Sequence, residues 1–101
     1  FCPMGPVITT RDELPDIRES WMTTTVNGEQ RQHAPISALI FDTETLIATL
    51  SEVKTLEPGD VIATGTGLGV GIGMNPPVYL KTGDVVEVSI DGIGTLSNPV
   101  L

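Results

Sequence analysis

A β-rich domain with a single helix, mainly β within the α+β class, is the fold the sequence predicts. Three observations carry it. Two stretches of β-branched and apolar residues are each broken by a turn dipeptide, Asn27-Gly28 and Asp91-Gly92. One stretch, residues 42–54, repeats its apolar residues at helical spacing. Eleven glycines and eight prolines in 101 residues point to many turns and short strands.

Taken in order, residues 1–10 (FCPMGPVITT) are a proline-bounded lead into a short strand over 7–10. Residues 11–19 are charged and broken by Pro15, which predicts a surface connection with one helical turn at most. Trp21–Val26 is the clearest strand, with Met22, Thr24 and Val26 on one face. Asn27-Gly28 tolerates positive φ at both central turn positions, so the chain returns as a polar edge strand over 29–32. His33 then falls just beyond the strand, as a solvated loop residue. In the helix over 42–54, Asp42 caps the first amides, and Leu46, Ile47, Leu50 and Val53 form the stripe to be buried.

Leu56 to Val61 (LEPGDV) and Leu80 to Val85 (LKTGDV) share one turn pattern, each delivering the chain into an apolar strand. The first strand covers 61–63. The second covers 84–90 and turns at Asp91-Gly92 into 93–98.

Composition removes several function classes. A net charge of −8 with five basic residues leaves nothing to hold nucleic acid phosphates or anionic membranes. One cysteine, Cys2, cannot pair internally, which fits a reducing compartment such as the cytoplasm. One cysteine and one histidine do not make a zinc site of the ordinary kind. The sequence has no apolar run of transmembrane length. It begins at Phe1 rather than methionine, so a piece of a longer protein is one expectation.

The unusual chemistry lies in residues 56–73, LEPGDVIATGTGLGVGIG, where glycine recurs at every second position from Gly65 to Gly73. All five glycines are odd-numbered, so no pair is five apart as dinucleotide and P-loop fingerprints require. Such a run weakens a strand and needs compensation. A bound ligand, a close approach by another segment, or a turn capping a sheet edge would each supply it. Thr64 and Thr66, at the mouth of the loop, are the candidate ligand-binding hydroxyls.

The loop, together with LKTGDVVEVSIDGIGTLSNPV, the opening F-x-P-M-G-P and the V-N-G-E-x-R-Q hairpin, resembles the C-terminal part of the fumarylacetoacetate hydrolase family. The resemblance spans the whole chain. It implies a mixed β-sandwich or roll, a cytoplasmic homodimer, and residues 1–101 as a single partial domain of a larger catalytic body. It implies Mg²⁺- or Mn²⁺-assisted cleavage, isomerisation or decarboxylation of β-diketo acids and acylpyruvates, the metal stabilising an enolate. Carried over by position, Thr66 would contact the carboxylate end of a small oxo-acid substrate. Thr64 would stand beside it, with Gly65 and Gly67 letting the backbone come close. The family's metal ligands (a Glu-x-Glu pair and an Asp) and its active-site lysine belong to segments that precede this one. The chain alone is therefore expected to be inactive and to associate with that N-terminal part. The family often has proline at the position of Gly67, and Pro35-Ile36-Ser37-Ala38 stands where it has a polar segment. A catalytically degenerate module of the same fold, serving as a binding or dimerisation partner, is the alternative.

Overall fold

The computed structural model describes residues 2–14 and 16–101; Phe1 and Pro15 lie outside the described residues. Among the described residues, four strands form one antiparallel sheet: β1 (Trp21–Val26), β2 (Glu29–Pro35), β3 (Val85–Ile90) and β4 (Gly94–Pro99), in the order β2-β1-β3-β4. One helix, α1 (Thr43–Val53), lies between the two hairpins in sequence, and single 3-10 turns occupy Arg11–Glu13, Ile17–Glu19, Ile36–Ala38 and Gly71–Gly73. The expected class, mainly β with one helix, is the observed one.

Local chemistry explains the hairpins. Asn27 takes φ 52° and Gly28 φ 78°, the two positive values that match a two-residue turn to the twist of its strands. The Asn27 side chain also joins the hairpins: its amide nitrogen donates to Asp84 Oδ1 at 2.9 Å, and Val85 N–H donates to its Oδ1 at 2.8 Å. At the other end, Trp21 N–H donates to Asp91 Oδ2 at 3.1 Å, tying β1 to the β3–β4 turn.

The two LxxGDV turns have the same geometry, as their sequences imply. Asp60 accepts from Glu57 N–H at 3.1 Å, and Asp84 accepts from Lys81 N–H at 2.8 Å. In each, the aspartate's own N–H closes back on the same partner's carbonyl at 3.0 Å. These bonds favour the ionised carboxyls. Asn27, then the Lys81 amide, holds Asp84 below the usual carboxylate range, and the Glu57 amide, then Lys54, does so for Asp60.

Several expected elements differ. No strand forms over 7–10 or 61–63. Their β-branched residues have no neighbouring ladder to join, and Ile8 is 94% exposed, so propensity finds no partner to express it. Among the described residues of 11–19 there are two short turns rather than one, and the break expected at Pro15 lies outside the described residues. Strand β2 runs to Pro35, so His33 is not in a loop: it pairs with Thr23, stacks on Trp21 at 4.5 Å, and its Nδ1 lies 2.9 Å from Thr23 Oγ1. The helix is capped by Asp42 as expected, its Oδ1 accepting from Thr45 N–H at 2.8 Å. Its stripe, however, is not buried: Leu46 and Leu50 are half-covered, while Ile47 and Val53 are exposed.

The sheet has one apolar face. Met22, Thr24 and Val26 share it with Val86, Val88, Ile90 and Leu96 through direct cross-strand pairing. The opposite face carries Thr23, Thr25, Glu87 and Ser89. Among the described residues no apolar side chain is buried, and Ser20 alone falls in the buried class. The chain exposes 7983 Å²; a compact monomer of 10.7 kDa would expose about 5,500 Å².

The register of β1 and β2 breaks once: Thr24 faces Gln32 but Thr25 faces Gln30, leaving Arg31 as the extra residue of a bulge. Regular alternation from Glu29 would send Gln32 to the polar face. The bulge returns it to the apolar face, opposite Thr24.

The glycine-rich segment crosses this face of β2. A side chain at position 69 would collide with the Arg31 carbonyl oxygen, and φ there is +99°. A side chain at 71 would collide with the Val78 carbonyl oxygen. Position 67 has open space and a φ outside the left-handed range. Gly69→Ala is therefore expected to cost about 2 kcal/mol or more of stability, and Gly67→Ala to be neutral or stabilising by up to about 1 kcal/mol. Denaturant midpoints of the two variants check this; equal midpoints would contradict the packing.

The turn carboxyls also make a pH dependence. Their folded-state pKa values lie below the unfolded ones, so their stabilisation is complete above about pH 4 and is lost as pH falls through the folded values. Thermal midpoints should drop on acidification below about pH 4, and Asp84→Ala should flatten part of that slope. An unchanged slope in that variant would count against the Asn27–Asp84 contact.

Candidate functional site

The sequence places Thr64, Gly65, Thr66 and Gly67 on one exposed stretch, and the fold holds its second half against β2. Gln32 supplies the grip. Its side-chain nitrogen donates to Thr66 Oγ1 at 3.0 Å, to the Gly67 carbonyl at 3.2 Å and to the Leu68 carbonyl at 3.1 Å. Below this contact, the Gly69 backbone presses on Arg31, so the loop is anchored by a side chain at one point and a backbone at the next.

Beside the anchor lies a cavity of about 330 Å³, with Thr24, Arg31, Gln32, Val70, Met74 and Tyr79 on its wall. Arg31 fixes part of that wall. Its Nη1 donates to Met74 Sδ at 3.2 Å, its Nη2 pairs with Glu29 at 3.3 Å, and its Nε is buried with no hydrogen-bond partner. The bulge thus points two successive side chains, Arg31 and Gln32, at the same space.

Other chemistry-bearing groups are engaged elsewhere. Asp60 and Asp84 close turns, and Asp91 holds the first amide of β1. His33 pairs on the polar face, across the sheet from Gln32, and does not share the site. Cys2 is a free, exposed thiol. Among the described residues no group of three or more His, Cys, Asp or Glu side chains is placed to hold a metal ion. The donors among the described residues therefore do not fit a Mg²⁺ or Mn²⁺ site by themselves.

Sequence reasoning reached the loop and its threonines but not the residues that hold them. Arg31, Gln32, Gly69 and Gly71 position the loop. A close approach was one of the expected compensations for so many glycines, and it occurs against the chain's own carbonyls at 69 and 71. At Gly65 and Gly67, the positions assigned to close approach, an added Cβ would meet nothing within 4 Å. The fold leaves the space there unfilled.

Comparison with known proteins adds to this geometry. A family model described as "Fumarylacetoacetate (FAA) hydrolase C-terminal" matches residues 1–101. Oxaloacetate tautomerase YisK of Bacillus subtilis (strain 168) is 48% identical over 99 residues, covering 98% of this chain and 33% of that protein. A solved fumarylacetoacetate hydrolase from the psychrophile Exiguobacterium antarcticum superposes with a TM-score of 0.94 at 53% identity, over 99% of this chain and 36% of that one. Maleylpyruvate hydrolase from Sphingobium sp. SYK-6, solved in complex with manganese(II) and pyruvate, superposes with a TM-score of 0.88 at 44% identity, over 100% of this chain and 36% of that one. The chain thus spans about a third of the length of the relatives it matches. The match over the whole chain and the near-complete superposition agree: the chain belongs to the fumarylacetoacetate hydrolase family, in its C-terminal domain.

Proposed function

We propose that this chain is the C-terminal segment of a divalent-metal-dependent enzyme that acts on small 2-oxo acids, acylpyruvates or β-diketo acids, by C–C cleavage or isomerisation. Thr66, with the open backbone at Gly65 and Gly67 and Thr64 beside it, binds the substrate's carboxylate end. One observation carries the reading: a hydroxyl held at the mouth of an otherwise exposed loop, beside two glycines at which an added side chain would meet nothing within 4 Å. The relatives support the substrate class. One is named for oxaloacetate, and another was solved with pyruvate. Both compounds are 2-oxo acids, and each presents a carboxylate next to a ketone.

The chain's own residues can perform the binding part of such a reaction. A threonine hydroxyl and nearby backbone amides donate to a carboxylate and fix which way the ketone points, and correct placement is a large part of rate acceleration. The manganese in the maleylpyruvate hydrolase supports a divalent ion in this protein too. Since the carboxylates among the described residues do not converge, its ligands would come from outside this chain.

The exposed surface supports the same arrangement. It exceeds that of a compact monomer by about 2,500 Å², roughly three times what each partner gives to a standard protein interface. A single dimer contact would not cover it. The remainder of a catalytic domain, together with a second subunit, would.

In the complete enzyme, with oxaloacetate or an acylpyruvate as substrate, Thr66→Val is expected to lower kcat/KM by about 10- to 100-fold with little change in thermal midpoint, the effect of losing one hydrogen bond to a charged group. Chelation should abolish turnover, and Mg²⁺ or Mn²⁺ should restore it. A Thr66→Val enzyme with unchanged constants would overturn the assignment. A metal-loaded wild type that binds oxo acids without turnover would favour the degenerate binding module.

A further inference from the structure

We infer that Gln32 is a positioning residue that makes the Thr66 hydroxyl a donor toward the ligand. The inference rests on the proposal that Thr66 binds the substrate carboxylate.

A carboxamide nitrogen carries two hydrogens and accepts none. Gln32 Nε2 lies 3.0 Å from Thr66 Oγ1, 3.2 Å from the Gly67 carbonyl and 3.1 Å from the Leu68 carbonyl. The two carbonyls settle which way the amide is turned, because its oxygen in that place would face two acceptors. Two hydrogens thus serve three acceptors, one of them shared. Toward Gln32, then, Thr66 Oγ1 can only accept. A hydroxyl has one hydrogen, and that hydrogen must point elsewhere.

Within the loop, the acceptor within reach is the Gly67 carbonyl, at 3.4 Å, well beyond the usual O–H···O distance. An anion arriving at the exposed side of the loop offers a better partner. Accepting a bond from the amide also polarises the O–H and strengthens its donation. Without Gln32, the hydroxyl is free to rotate and the loop carbonyls lose their partner.

The fold makes this arrangement by one irregularity. The Arg31 bulge places Gln32 on the loop face, and the Gly69 contact sets the loop's distance from it. Nothing in the local composition of EQRQH distinguishes Gln32 from Gln30, its neighbour on the other face.

The test is a double-mutant cycle in the complete enzyme, reading KM and kcat separately with oxaloacetate as substrate. Gln32→Met keeps the length of the side chain and removes its hydrogen bonds. It should raise KM by roughly three- to tenfold when Thr66 is present, and by less than about twofold in a Thr66→Val background. Equal losses in both backgrounds would show that Gln32 acts on the fold alone and would overturn the inference, as would unchanged constants for Gln32→Met.

Gln32→Glu gives a second reading should the methionine variant not fold. Its ionised carboxylate accepts from Thr66, turning the hydroxyl inward, and regains a donor hydrogen when protonated. Its KM, relative to wild type, should therefore recover as pH falls toward the carboxylate range. A KM ratio that stays flat with pH would count against the inference. Failure of the Thr66 proposal is distinguishable: Thr66→Val would then match wild type, whereas an impaired Thr66→Val beside a silent Gln32→Met overturns this inference only.

Discussion

Everything at the candidate site depends on one close contact: the backbone at Gly69 lying against the carbonyl of Arg31. A side chain at 69 would push the loop off β2, and with it Thr66 away from the Gln32 amide. The contact in turn depends on the bulge, because Arg31 is the residue that the β1–β2 register leaves over. A defect in a ladder and a missing side chain thus combine to hold an irregular loop on a regular sheet. Bulges often serve to re-aim side chains beside functional sites, and here the re-aimed side chain is Gln32.

The division of labour along the glycine run follows from the same geometry. Positions 69 and 71 are glycine because the chain's own carbonyls occupy the space a side chain would need. Position 67 is under no such demand, and the surroundings of 65 and 67 are open. A loop clamped at one end and open at the other is suited to meeting a small anion with little rearrangement. That economy is what preorganised binding requires.

Sequence patterns were most informative where one local rule decides the structure. Asn27-Gly28 made its hairpin, Asp42 capped its helix, and the two LxxGDV turns proved geometrically alike. They failed where the outcome depends on a distant partner. Residues 7–10 and 61–63 have strand-like composition but no ladder to join, and the helix stripe at Ile47 and Val53 found nothing to pack against. His33 was displaced by one more turn of the same logic: β2 continued past Gln32 because Trp21 and Thr23 were there to pair with it. At the site, Thr66 could be read from its glycine context, whereas Gln32 could not. Its role is created by a register shift between two strands, and no single stretch of sequence encodes that.

The structure presents a half-covered apolar sheet face, a helix with a partly exposed stripe, and an exposed loop. These features fit the proposal that other protein surface completes this segment. The most direct measurement is a crystal structure of the complete enzyme with Mn²⁺ and pyruvate. The expected result is a pyruvate carboxylate oxygen within hydrogen-bond distance of Thr66 Oγ1, the Gln32 amide still on that hydroxyl, and the metal on ligands from outside residues 1–101. Pyruvate bound away from the loop, or with its carboxylate beyond hydrogen-bond distance of Thr66 Oγ1, would contradict it.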